Sequence, residues 1–541
     1  MSQQTKNPSA LFNIAMVALA LWGLTYVHSW RDTELFWVPM ALLIMAAGAI
    51  VKLLCPFIEY LKKVAARKRA MVPSTDKGTA RWARRSDFRR LRRHKRGPFW
   101  GIFAGRPLFL EYESSALTVA PAGMGKTTCI VIPDLLSIET SIIAPDYKGE
   151  LAVCTADARR RMGQKVYCVN PSRAFVDRLG EPARYNPLVI LVDDWDHSQP
   201  DMIADARAIA LQLYPEPARA TENQFFRAGS RKIMTFAMLV ETIEKRHDAT
   251  LSGVLSLIRD PSQFKDALYS ASVSDALKGE LAEMAREFLE KLENGDNRQW
   301  DSFREGALQA LDVFSPSGRI AQSVSACDFR FQDLKSEKAT VFVIADATRQ
   351  QVYAPWMGLL MWCAITELMR CQSHTTVTLL LDEASNFKIN DLPAQLTRLR
   401  GYGVRLHIIL QELEDWKRIY GPEALEILLS QTEIQQFFGS SSQRTLDLLA
   451  KRLGEATIKT QNFDLGLGVQ HGAKQSVGEG GRVLLDANEV SQQPGALLFV
   501  RGKPPASVGI ANYSQVSPWA RQVGINPFHG RKLKGRIRYW L

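Results

Sequence analysis

The segment Leu117-Thr-Val-Ala-Pro-Ala-Gly-Met-Gly-Lys-Thr-Thr128 constrains this chain more than any other. Ala116 to Ala120 is short, apolar and β-prone, and an apolar helical run opens at Lys126 and continues through Ile132. Between them, Gly123 and Gly125 let backbone amides turn inward around an anion, and the start of the helix adds its own unpaired N–H groups. This is the pattern of a phosphate-binding loop set between a strand and a helix, with Pro121, Ala122, Gly123, Met124, Gly125, Lys126, Thr127 and Thr128 as its nucleotide contacts. Lys126 is placed for the β- and γ-phosphates of ATP, and the Thr127 hydroxyl for Mg²⁺. One position departs from the usual G-x-x-x-x-G-K-[ST] spacing: the first glycine is Ala120.

Downstream, short apolar runs alternate with helical stretches. Ser141–Ala144, Lys165–Val169, Ala339–Ala345, Val377–Leu381, Arg405–Leu410, Ile434–Phe438 and Ala496–Val500 read as strands of a parallel sheet buried on both faces. Around a phosphate loop, such alternation implies a doubly wound α/β fold with the nucleotide at the carboxyl ends of the strands. From residue 192 to 331 the pattern changes to amphipathic helices, Met202–Tyr214, Glu222–Lys245, Leu251–Arg259 and Ser274–Leu292, which read as an inserted all-α domain. The α/β domain then comprises residues 101–191 and 332–515. Gly466 to Gly481 reads as a flexible glycine-rich loop, since no Gly-Lys-Ser/Thr follows it.

The apolar run Thr378-Leu-Leu-Leu-Asp-Glu383 ends in two acids. At such a strand end Asp382 can hold Mg²⁺ while Glu383 acts as general base on the attacking water. Beyond Thr397-Arg-Leu-Arg-Gly-Tyr-Gly-Val-Arg405, the next strand ends at Gln411, which can sense the γ-phosphate or place the water. Arg398 or Arg400, on the glycine-rich approach to that strand, can act as an arginine finger on a neighbouring subunit, which implies a ring.

The first sixty residues stand apart. The runs at about 10–28 and 35–58 are each near the ~20 apolar residues that a bilayer-spanning helix needs. They read as a transmembrane hairpin over residues 1–60. From Glu59 to Gly97 there are fifteen Lys or Arg against three acids, an excess of 12 that equals the formal charge of the whole chain. Positive charge directly after the second span predicts cytoplasmic termini. This basic juxtamembrane segment, 61–100, can also bind anionic lipid or nucleic-acid phosphate, as can a basic tail within 516–541. The seven cysteines show no paired spacing and the eight histidines no metal-ligand spacing, so neither a disulfide framework nor a structural metal is expected.

Taken together, these segments make the chain resemble the coupling ATPases of type IV secretion and conjugation systems, the TraG/TraD-like family, themselves akin to the FtsK/HerA translocases. The resemblance is carried by Gly78-Thr-Ala-Arg-Trp-Ala83, the loop at 120–128, Asp146-Tyr-Lys-Gly-Glu150, Tyr185-Asn-Pro-Leu188, Leu381-Asp-Glu-Ala384, Arg400-Gly-Tyr-Gly403 to Gln411, and Tyr420-Gly421. Family members typically have Asp-Pro where this chain has Asp146-Tyr147, and a small or charged residue at Met124. The resemblance implies a RecA-like ATPase using ATP and Mg²⁺ and assembled as a homohexameric ring on the inner membrane, with the helical insert toward the cytoplasm. Its partners would be the secretion channel and cargo, either relaxase with single-stranded DNA or effector protein. Arg400, by its spacing to Gln411, matches the family's finger position. An FtsK-type chromosome pump fits less well, given two spans and no long Pro/Gln linker. A membrane receptor whose nucleotide site only sets a binding conformation is the non-enzymatic alternative.

Overall fold

The computed structural model describes residues 78–541 apart from 92–95, 218–223, 294–296, 374, 465–473 and 531–538. Before residue 78 it describes only Trp37, Ala41, Ile44, Met45, Gly48, Glu59, Leu61 and Lys62. The expected membrane hairpin, most of the basic segment before Gly78, and the basic run Arg531–Arg538 therefore lie outside the described residues. The chain divides into two compact units, residues 1–80 with 454–484 and residues 81–453 with 485–541.

In the larger unit β1 (Phe99–Phe103) and β2 (Arg106–Phe109) form an antiparallel pair. A single nine-stranded sheet is built from β3 (Ser115–Val119), β4 (Ser141–Asp146), β5 (Lys165–Val169), β6 (Ala339–Ile344), β7 (Val377–Leu381), β8 (Val404–Leu410), β9 (Thr432–Phe437), β12 (Ala496–Val500) and β13 (Ala506–Val508). Its order is β13-β12-β9-β3-β8-β7-β4-β6-β5. Every residue of β3, β4, β6 and β7 is buried, as continuous apolar strands covered on both faces require. Each expected strand forms within two residues of its expected ends. The expected parallel pairing fails at one edge, where β12 runs antiparallel to β9 and β13 antiparallel to β12. Only five residues, 501–505, separate β12 from β13; that length permits a hairpin but no crossover, whereas the run Ala496–Val500 itself carries no sign of direction.

The helical block is larger than its sequence pattern suggested: Val189–His197, Gln199–Leu213, Gln224–Lys245, Leu251–Arg259, Pro261–Ser272, Glu280–Glu293 and Asn297–Leu311. The helix expected from Ser274 starts instead at Glu280, because Leu277 and Lys278 adopt left-handed backbone angles (φ 54° and 59°). The unforeseen helix Pro261–Ser272 begins with Asp260 accepting the N–H groups of Ser262 and Gln263, with proline at its first position. Buried Glu367, on the helix Gln350–Arg370, ties this block to the sheet: it accepts from Tyr185 Oη (2.7 Å), Arg330 Nε (3.1 Å) and the Gln332 amide (3.1 Å). Tyr185 and Arg330 stand where the chain leaves and re-enters the α/β layer. Among the described residues one helix, Ala347–Arg370, is long and apolar enough to cross a membrane, and it is mostly buried in this core.

The segment after residue 515 is more than a basic tail. Val516–Ser517 (β14) pairs in parallel with Tyr539–Trp540 (β15), and Trp519 is buried edge-on against Phe99, ring centroids 5.0 Å apart. Within the basic segment, Arg81 clamps Asp87 through both terminal nitrogens (2.8 and 2.9 Å), and Phe88 is buried.

In the smaller unit β10 (Glu455–Asp464) and β11 (Lys474–Val483) form a ten-pair antiparallel ribbon. Gly78 and Thr79 lie along its base, Gly78 at φ 142° with the Glu455 carbonyl where a Cβ would sit. Residues 474–481, expected to belong to a loop, are thus strand; cross-strand pairing supplies the order that their glycines do not.

Candidate active site

Strand register brings the expected residues together. Val119 of β3 stands level with Leu410 of β8, and Leu381 of β7 with Ile408 of β8. The phosphate loop after β3, Asp382 and Glu383 after β7, and Gln411 after β8 therefore leave the sheet along one edge. Next to β7, β4 ends in Asp146. This edge is where doubly wound sheets bind ligands.

Ala120 takes the place of the usual glycine without strain. Its amide donates to the Leu410 carbonyl (3.1 Å), extending the sheet, and its φ is not positive; only Gly123 (φ 80°) and Gly125 (φ 85°) need left-handed backbone here. Beyond the loop the helix begins with a widened turn, Thr127–Val131, in which the Ile132 amide reaches back five residues to Thr127 O. Pro133 explains the widening, since it has no N–H to give Cys129 O and its ring crowds that carbonyl. Lys126 is buried and its Nζ donates to the carbonyls of Ala120 (2.6 Å) and Pro121 (3.1 Å). Burial lowers its pKa, opposed by the charges of Asp382 and Glu383.

The loop's helix is fixed from beneath by a fully buried chain. His407 of β8 bonds Asp134 of the helix through Nδ1 (3.0 Å) and Thr118 of β3 through Nε2 (2.9 Å), and the other Asp134 oxygen accepts the Phe99 amide (2.7 Å). No local signal in the sequence links these residues.

Asp382 is the electrostatic anomaly of the site. Its Oδ1 is enclosed and has no hydrogen-bond partner, and burial, reinforced by Glu383, pushes its pKa up to about 7 against the pull of Lys126. Glu383 has left-handed backbone angles (φ 51°, ψ 47°), and its Oε2 accepts from Asn386 Nδ2 (2.6 Å). Asp382, Glu383 and Thr127 line one cleft together with Asp146, Lys148 and Glu150. Asp146, its pKa raised by burial to about 6, accepts from the amides of Lys148 (3.2 Å) and Ala152 (2.9 Å) and so caps the helix Glu150–Arg161. The sequence alone assigns no role to Lys148 or Glu150, although Asp146-Tyr-Lys-Gly-Glu150 is one of the segments that carry the resemblance.

Arg400 lies elsewhere. It is exposed on the turn Leu399–Tyr402 that leads into β8 and is ion-paired with Glu113, which precedes β3. Both sit at the amino ends of their strands, so about five residues of strand, roughly 17 Å, separate Arg400 from the phosphate loop of its own chain. Arg398 is exposed on the same approach.

A family model described as Type IV secretory system conjugative DNA transfer matches residues 66–524. The chain belongs to this family. It is 26% identical over 522 residues to protein VirD4 of Agrobacterium fabrum strain C58, covering 91% of this chain and 72% of that protein. Against protein VirD4 of Rhizobium radiobacter it is 26% identical over 458 residues, covering 81% of this chain but 64% of the relative. Conjugal transfer protein TraG of Agrobacterium fabrum is 22% identical over 80% of this chain and 65% of its own. Among solved structures, plasmid coupling protein TrwB in complex with ADP and Mg²⁺ superposes with a TM-score of 0.56 at 12% identity, covering 80% of this chain and 94% of that one. The unbound coupling protein TrwBdeltaN70 gives 0.54 at 16%, over 80% of this chain and 92% of that one. The fold is therefore that of a coupling-protein nucleotide-binding domain, as the sequence resemblance implied.

Proposed function

We propose that this chain is a membrane-anchored ATPase that recruits cargo, relaxase-bound single-stranded DNA or effector protein, and drives it into a type IV secretion channel. What carries this reading is the convergence of the phosphate loop with Asp382, Glu383 and Gln411 on one sheet edge, in a member of this family. ATP with Mg²⁺ fits the residues present. Nothing lies within 4 Å of where a Gly123 Cβ would point, which leaves the loop open to phosphate. The unpartnered carboxylate oxygen of Asp382 is the hard donor that Mg²⁺ takes. TrwB, of the same fold, has been solved with ADP and Mg²⁺.

Bound there, ATP supplies a phosphoanhydride whose hydrolysis is strongly downhill. With nucleotide present, Lys126 would exchange its two backbone acceptors for phosphate oxygens, and Thr127 with Asp382 would hold Mg²⁺. Glu383 accepts a proton from the attacking water, and Gln411 orients that water. Arg400, remote from its own chain's loop, acts on the neighbouring copy in a hexameric ring. The apolar runs at 10–28 and 35–58 and the basic residues after them support two inner-membrane spans with the ATPase on the cytoplasmic side.

ATP turnover by the purified chain, with and without single-stranded DNA, tests the reading. Turnover should vanish in Lys126→Ala together with most nucleotide affinity. A wild-type chain that binds nucleotide yet never turns it over would contradict it.

A further inference from the structure

The segment after Glu383 is held at both ends. At its start Asn386 bonds back to Glu383 twice, its amide to the Glu383 carbonyl (2.9 Å) and its Nδ2 to the carboxylate Oε2 (2.6 Å). These bonds brace a glutamate in a left-handed backbone conformation that such a residue adopts rarely. Phe387 then turns inward and is buried, its ring 6.5 Å from that of Tyr147.

At its far end the segment meets the helical insert. Gln212, buried on the helix Gln199–Leu213, grips the backbone with both ends of its amide: Nε2 donates to Lys388 O (2.7 Å) and Oε1 accepts the Asn390 amide (2.8 Å). Asn390 Nδ2 adds a bond to Leu211 O (2.7 Å), and Lys388 Nζ reaches Glu216 O (2.8 Å). The fit tolerates no extra atom, since a Cβ on Gly358 would lie 2.3 Å from Lys388 O and 2.8 Å from Gln212 Nε2. Only four residues, 384–387, separate Glu383 from Gln212's first anchor at Lys388, and they form one tight turn followed by a buried ring. A displacement of the helix Gln199–Leu213 has no slack in which to dissipate before it reaches Glu383.

We infer that Asn386 is a positioning residue for the Glu383 carboxylate, and that the Gln212 clamp lets the helical insert set that position. Cargo bound to the insert would then change the rate of hydrolysis without touching the nucleotide. The inference rests on the reading of Glu383 as general base, and its test separates the two.

The measurement is steady-state ATP turnover and nucleotide affinity of the whole chain for Asn386→Ala, Asn386→Asp, Gln212→Glu and Glu383→Gln. Asn386→Asp keeps the side chain's size but replaces the donor with a like charge. Gln212→Glu keeps its length but loses the bond to Lys388 O. A misplaced base costs turnover and leaves binding intact, so kcat should fall on the order of 10-fold or more in both Asn386 variants with KM and affinity within twofold. Gln212→Glu should lower kcat several-fold in the same manner, and Asn386→Ala added to Glu383→Gln should cost nothing further. If Glu383→Gln abolishes turnover while both Asn386 variants run at the wild-type rate, the positioning role is wrong and the base assignment stands. If Glu383→Gln itself turns over normally, the base assignment is wrong and the inference falls with it. Equal losses of affinity and turnover in the Asn386 variants would make the residue structural and also overturn the inference.

Discussion

Asp382 concentrates the conflict between stability and function in one side chain. Its carboxyl is raised to about 7 in the folded chain, against an ordinary value of 3.8. The unfolded chain therefore releases this proton first. Stability falls as pH rises from about 4 to about 7, and the loss is complete above that. Asparagine has no proton to lose. In the absence of nucleotide and metal, Asp382→Asn should be more stable than wild type at pH 8, by on the order of 2–4 kcal/mol, and indistinguishable near pH 4. Denaturant titrations at the two pH values read this directly, and equal midpoints at pH 8 would show that the carboxylate is already compensated. The same substitution should abolish Mg²⁺-dependent turnover, because the oxygen that destabilises the empty site is the one placed for the metal.

Among the elements, the helix carrying the phosphate loop depends on partners far away in sequence. Its last turn is held by Arg159, a buried guanidinium with no carboxylate partner among its bonds. Arg159 donates to the carbonyls of Leu135 (3.1 Å), Ile138 and Thr140 (2.8 Å), to Thr340 Oγ1 (2.7 Å) and to Gln164 Oε1 (2.7 Å). Cationic donors at a helix carboxyl end satisfy carbonyls that the helix leaves open. Arg159→Met should leave several buried acceptors unpaired and cost at least about 3 kcal/mol, seen as a lowered midpoint in urea; a loss below 1 kcal/mol would mean that water replaces the guanidinium. This pattern also marks how far the sequence could be read. The phosphate loop, β3, β7 and β8 were legible because strand, turn and helix signals follow one another within a few residues. The pairing of Asp134 with His407, the antiparallel turn of β12 and β13, the ribbon partner of β11 and the burial of Trp519 all depend on contacts between residues distant in sequence, and no local pattern encodes them. Asp382, Glu383 and Gln411 were readable as strand ends. Asp146 and Lys148 could be assigned to the same cleft only once β4 was known to lie beside β7.

At the scale of the whole molecule, the separation of Arg400 from its own phosphate loop makes the ring a functional requirement of the proposal. Lys126→Ala and Arg400→Ala subunits should each be nearly inactive alone. Mixed in equal amounts before assembly, they should regain a fraction of wild-type turnover, because some interfaces then combine an intact Lys126 with an intact Arg400 from the neighbour. No recovery on mixing, or full activity of Arg400→Ala alone, would remove the arginine from the site. The central claim, that the edge shared by β3, β7 and β8 hydrolyses ATP, is tested most directly by comparing turnover and nucleotide binding in wild type and Glu383→Gln side by side. The account predicts that binding is retained while turnover falls by about 100-fold or more; wild-type turnover in Glu383→Gln would contradict it.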